Sequence, residues 1–346
     1  MSADSLAPPA EHRGRTRRLI ARVTPFLRPA VAVLIVAAVV FAVVSEWSGS
    51  PGKPGIKNAI SSLAWPSVVL SFVAVFAGTI SSVLAWRALL ADEGHPLPAL
   101  RAARVFLVGQ LAKYLPGSVW SVVLQADLAT RERVPRGRAF TTSLAFVGLT
   151  LSTGLTVGLL GLPVLAEAHH TSLWWLLAAW PVLVVASLPP VLTRLVNLVL
   201  RVLHKSPLPR SLSWSGVITA CAWLIGSWIF FGVHLWLLAD AVGAPGVGGL
   251  VRSVGGFALA MAAGVVFLIA PSGAGIREVV IVAALAPVMA SAEAFGIAVV
   301  SRVLFVVSDV SAAGAATISA RRNLRRTSVA NAQQDDAPPD RVGVGS

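Results

Sequence analysis

A chain of 346 residues that is 56% hydrophobic and only 12% charged, with a mean hydropathy of +0.78, has too little polar surface for a water-soluble fold. Its net charge of +13 raises nucleic acid as a partner, but no interleaving of aromatic and basic residues and no base-reading motif accompanies the charge, so that class is set aside. What remains is a polytopic membrane protein.

The basic stretch HRGRTRR (12–18) precedes the first apolar run, 29–46, as in a signal peptide. No small-residue cleavage pattern follows VVSEW (43–47), so the expectation is an uncleaved anchor. Further runs long enough for a hydrocarbon core of about 30 Å are predicted at 65–90, 139–163, 172–192, 215–239, 248–270 and 294–318. Two more segments are broken or short. The run 103–125 is interrupted by LPG (115–117), and 276–290 follows the break PSGAG (271–275).

Most Lys and Arg lie before residue 29, at Arg87, Arg101 and Arg104, in RERVPRGR (131–138), from Arg194 to Arg210, and after residue 320. These segments alternate with basic-poor loops such as AEAHHTS (166–172) and ADAVGAPG (239–246). The positive-inside rule then puts both termini in the cytoplasm of a prokaryotic plasma membrane, with anionic lipids favoured at that face. It also gives 103–125 two cytoplasmic ends and the pair 248–270 and 276–290 two external ends. Twenty-three residues are too few for two crossings, so the interrupted run reads as a re-entrant hairpin.

The predicted fold is therefore all-α, a membrane helix bundle of about eight segments with two re-entrant or broken-helix hairpins in inverted orientation, the pattern of inverted repeats whose severed helices meet near the membrane middle. The alternative is that each Pro-Gly break is an ordinary kink. Residues 29–320 form the transmembrane domain, flanked by a basic, disordered cytoplasmic segment (1–28) and a tail, basic and then disordered (321–346).

Charges inside apolar runs mark function or locking, since each costs about 2.5–3.5 kcal/mol at a helix centre. Arg302 and Asp309, seven residues apart on the last span, share a face about 10 Å apart and should find partners on other helices, as a gating or counter-ion network or as a static ionic lock. Lys113, Asp127 and Arg252 reach the interface by snorkelling or join that network. Arg277 and Glu278 begin a half-helix whose first N–H groups have no intrahelical acceptor. Such an end attracts anions, and Ser272, Gly273 and Gly275 let a phosphate approach the backbone. Arg277 adds a bidentate phosphate donor, with Glu278 neutralising it or binding an amine. Across the bundle, Gly117 and Ser118 open another half-helix beside Lys113 and Tyr114.

The motifs GQLAKYLPGSVWSV (109–122) and PSGAGIRE (271–278) resemble those of the transmembrane region of lysylphosphatidylglycerol synthases and the wider group of flippase-like bacterial and archaeal membrane proteins. The likeness runs over roughly residues 100–318. One departure is that serines and apolar residues at 118–121 stand where the synthase branch often has an acidic residue. The resemblance implies a bundle of about eight helices with re-entrant segments and, in the synthase branch, movement of an aminoacylated phospholipid between leaflets. The synthases add a large cytosolic transferase domain, and the 28 residues after 318 are too few for one, so aminoacyl transfer is not expected of this chain.

The expected function is binding and translocation of an anionic or aminoacylated phospholipid, or of a lipid-linked headgroup, without covalent catalysis. A second class is a scaffold or regulatory subunit for a cell-envelope enzyme partner. A third is a membrane glycosyltransferase, for which Glu46, Glu167, His169 and His170 are the only loop candidates. Cys221, the single cysteine, lies in an apolar run and offers no metal site, and neither metal nor cofactor is expected.

Overall fold

The computed structural model describes residues 63–114, 119–164, 173–208, 210–243, 246–266, 273 and 275–335, and every regular element among them is helical. Helices α1 (Trp65–Asp92) and α7 (Trp214–Asp240) form an antiparallel pair at the centre. Small residues let them approach. Ser82 and Ser227 hydroxyls are 2.9 Å apart, Ser227 also donates to the Gly78 carbonyl, and a Cβ on Gly78 would lie 2.5 Å from the Phe231 ring. At one end of the pair, Asp92 accepts the Ser213 backbone N–H at 2.8 Å while Ser213 caps α7.

Helices α2 (Ala99–Gln110) and α3 (Trp120–Thr130) are about 18 and 16 Å long, too short to cross a bilayer alone. They run antiparallel. Arg104 pairs with Glu132 at 2.7 Å at the open end, and Gly109 packs so closely on Gln125 that a Cβ there would meet its Cγ at 2.3 Å. A 3₁₀ turn, Leu111–Tyr114, carries α2 toward the break.

Helix α4 (Arg136–Leu160) packs against this pair and against α8 (Gly246–Val266), where Gly161 and Gly255 meet backbone to backbone. The run expected as one span at 172–192 is not straight. A 3₁₀ turn, Leu173–Ala179, leads into α5 (Trp180–Ser187), and α6 (Pro189–Val202) departs at 83°. The cause is local: Pro189 and Pro190 remove two N–H donors, and Pro189 forces Leu188 into extended backbone, with ψ 138°.

After α8 the chain folds back. Gly273 lies so close to Gly264 that a Cβ on it would be 2.6 Å from the Gly264 Cα, whereas nine residues of continuous helix would separate the two by about 13 Å. Gly273 and Gly275, with φ of +70° and +88°, supply the left-handed backbone this return requires. Helix α9 (Ile276–Leu285) then runs antiparallel to α8, with Ala284 against Gly256. Finally α10 (Ser291–Asp335) crosses the bundle and continues well past the polar residues that open its tail.

Five helices, α1, α4, α7, α8 and α10, are long and apolar enough to cross a membrane, and the bent pair adds a sixth if it counts as one span. The chain is a multi-pass membrane protein. The predicted span at 29–46 lies outside the described residues. The basic loops gather at one end of the bundle, where Arg101, Arg104 and Glu132, Arg138 and Glu93, and Asp92 and Ser213 interlock.

Glu93, just beyond α1, accepts the Thr141 hydroxyl and lies 3.7 Å from Arg138, yet burial pushes its carboxyl up from 4.5 to about 7. A carboxyl raised in the folded state binds its proton more tightly than in the unfolded chain, so folding stability falls as pH rises from about 4.5 to 7 and levels off above. In Glu93→Gln that decline should disappear. Thermal unfolding midpoints in detergent between pH 5 and pH 8 check this, the variant gaining on the wild type as pH rises.

Candidate functional site

Both folded-back pairs direct their closed ends at one cavity of about 460 Å³. Lys113 reaches it from the α2 side of the first break and Ser121 from the α3 side, while Gly273 and Arg277 reach it from the second. Its walls are otherwise largely apolar, with Phe106, Phe146, Trp228 and Phe305 among them.

Helix α10 ties the two ends together. Asp309 Oδ2 accepts the Lys113 ammonium at 2.6 Å and the Tyr114 hydroxyl at 2.5 Å. Two turns away on the same face, Arg302 pairs with Glu278 at 2.6 Å, both almost fully buried. The sequence expectation that Arg302 and Asp309 take partners from other helices is met, and each takes them from a different closed end.

Glu278 makes no direct ion pair with Arg277, though its charge acts favourably on the guanidinium. One of its oxygens holds Arg302, and the other accepts the Gly275 N–H at 2.7 Å, so the start of α9 is capped by its own carboxylate. The Gly275 N–H, which the residue order leaves open to a phosphate, is therefore already satisfied. Arg277 makes its contacts elsewhere. It is 4% exposed, lies over the Phe257 and Phe305 rings at 4.8 and 4.6 Å, and donates to Ser301 Oγ at 3.2 Å. Among the described residues no carboxylate comes within 4.0 Å of it.

Ser301 in turn bonds His234 Nε2 at 2.9 Å, and the other ring nitrogen of His234 donates to the Phe231 carbonyl. This relay, with the two phenylalanines, sets the plane of the guanidinium. Sequence reading passed over all four residues. A lone histidine inside an apolar helix and a serine beside Arg302 were the available signals, and neither says which cation it serves.

Of the other predicted residues, Gly117, Ser118 and Ser272 lie outside the described residues, as do Glu46, Glu167, His169 and His170. The position before α3 is held by Val119, which has no side-chain acceptor to cap it. Asp127 is exposed and 4.0 Å from Arg136, away from the cavity, and Arg252 is on α8 with a buried Nη1 that has no hydrogen-bond partner.

Among the described residues, the charged groups lining the cavity are two cations, Lys113 and Arg277, and one carboxylate, Asp309, a surplus of one positive charge, while Glu278 and Arg302 pair behind the wall. A sequence model described as the lysylphosphatidylglycerol synthase TM region matches residues 29–308. The chain belongs to that family. The match takes in both breaks, Lys113, Arg277, Glu278 and Arg302, and stops one residue short of Asp309. Comparison with curated protein sequences gives no significant match. Within this synthase-TM family, then, the chain contributes a helical membrane domain whose buried charges converge on one hollow.

Proposed function

We propose that this protein binds an anionic or aminoacylated phospholipid, or a lipid-linked headgroup, by its phosphate in the cavity and moves it between leaflets without covalent chemistry. The observation that carries the reading is Arg277, a buried guanidinium that has no carboxylate within 4.0 Å among the described residues and faces a cavity whose described lining is net positive. A buried cation without a counter-ion costs several kcal/mol, and a phosphate diester entering the cavity supplies the missing charge and two acceptor oxygens for a planar donor. The cavity is of ordinary ligand-site size, enough for a headgroup but not for two acyl chains, which stay in the bilayer.

Alternating access follows from the two folded-back pairs, read as re-entrant hairpins entering from opposite faces. Two facts support this. The tip of α8–α9 sits at Ser301 and Arg302 and its outer end leads into the start of α10, while the tip of α2–α3 sits further along α10 at Asp309. Rocking one hairpin against the other about these contacts changes the leaflet the cavity faces. Arg302, Glu278, Asp309 and Lys113 form the network that resets. The gathering of basic loops at one end supports a plasma membrane with that end cytoplasmic. A static scaffold for a cell-envelope enzyme needs no hollow reaching Arg277, and the cavity favours transport over it.

The test is reconstitution. Vesicles carrying acyl-labelled fluorescent phosphatidylglycerol lose about half their signal to a membrane-impermeant reductant when lipid does not cross. With the protein present the loss should go nearly to completion, and faster than for phosphatidylcholine. No added loss for any anionic or lysyl-bearing lipid would overturn the reading.

A further inference from the structure

Helix α6 has three distinct faces. Leu192, Val196 and Leu200, four residues apart, are buried in the bundle core. Leu195, Leu198 and Val202 are exposed, the last at 70%, on a second face. Arg194 and Arg201, with Lys205 just beyond the helix end, occupy a third, and all three are exposed. Among the described residues no carboxylate lies within 4.0 Å of these cations.

A helix that crosses a bilayer does not present cations on one face at both its ends and its lipid-facing leucines between them. A helix lying along the membrane surface does, with apolar side chains down and basic ones toward the headgroups. The rest of the geometry agrees. Helix α6 leaves α5 at 83°, and α5 packs along the spanning α4. Thr193 Oγ1 accepts the Leu212 N–H and Asn197 Oδ1 accepts the Leu208 N–H, tying α6 to the strap that enters α7 at Ser213, level with the end of α1 at Asp92. That level is the basic end of the bundle. The helix is closed there by a Schellman turn, with His204 at φ +53° and the Lys205 N–H returning to the Leu200 carbonyl at 2.8 Å.

Two residues of the same segment, Val199 and Leu203, line the cavity. We infer that α6 is an interfacial helix that lies in the headgroup layer at the cavity mouth and collects anionic phospholipid there through Arg194, Arg201 and Lys205. Its role as a doorway rests on the reading of the cavity given above; its position and its lipid preference do not.

The experiment uses the full chain in vesicles of phosphatidylcholine with a minority of phosphatidylglycerol. With Cys221 replaced by alanine, single nitroxide labels at Leu195, Leu198 and Val202 are placed by their accessibility to oxygen against a water-soluble nickel chelate. The three should report one depth, just below the headgroups. A helix crossing the membrane would separate Leu195 from Val202 by about 10 Å, and that result would overturn the proposal. In parallel, Arg194→Gln/Arg201→Gln/Lys205→Gln should cut the enrichment of phosphatidylglycerol among lipids retained by the protein in native mass spectrometry, each cation near the surface being worth about fivefold at low salt. These side chains are exposed and the variant keeps its fold, so unchanged enrichment also overturns it. Neither readout needs transport, so failure of lipid movement leaves both measurements standing.

Discussion

Arg277→Ala is expected to abolish headgroup-dependent lipid movement while leaving folding and abundance close to wild type. The guanidinium is buried against Phe257 and Phe305 and, among the described residues, has the Ser301 hydroxyl as its hydrogen-bond partner. Removing it takes a buried charge without a direct ion pair out of the bundle, which offsets the lost cation–π contacts. What is lost is the phosphate donor. Hydrogen bonds to charged groups contribute about 1.5–3 kcal/mol, so headgroup affinity should fall at least tenfold per bond. Arg277→Lys should recover little, because a point charge on a flexible stem cannot reproduce a flat donor stacked on two rings. Phosphatidylglycerol retention by native mass spectrometry and the vesicle assay measure binding and movement separately. Full activity in Arg277→Ala would remove this residue from the site and with it the main support for the lipid reading.

The neighbouring residue should behave in the opposite way. Glu278→Ala is expected to destabilise the fold by about 3–5 kcal/mol, because it strands Arg302 as a buried cation and frees the Gly275 N–H that caps α9. Glu278→Gln/Arg302→Met, which removes both charges and keeps an acceptor for Gly275, should recover most of that loss. Thermal unfolding midpoints and detergent-stable yield decide the matter. If Glu278→Ala unfolds at the wild-type temperature, the pair is not a buried lock and its place in the gating network falls too. On this proposal adjacent residues divide the labour: Arg277 serves binding at a cost in stability, and Glu278 serves stability.

This division shows where sequence reading reaches its limit. The spans at 65–90, 139–163, 215–239, 248–270 and 294–318 were legible because a bilayer imposes a minimum apolar length on any helix that crosses it, and the structure has a long apolar helix at each. The second break was legible for an equally local reason: Gly273 and Gly275 take positive φ, which glycine adopts without strain. Even the need of Arg302 and Asp309 for partners followed from the cost of charge in lipid.

Which partner each charge takes was not legible. Glu278 is next to Arg277 in the chain, yet consecutive residues on a helix point about 100° apart, and Arg302, brought up from 24 residues away, takes the carboxylate. The bend at Leu188 was written in Pro189 and Pro190, but apolarity says nothing of direction, so the run 172–192 read straight through it into the first turn of α6. Length, apolarity and the places where helices break are properties of short stretches of chain, and the amino-acid order determines them. The common cavity, the surplus positive charge of its described lining and the guanidinium without an ion pair among the described residues arise from side chains 24 or about 195 positions apart meeting on α10, and only packing decides those.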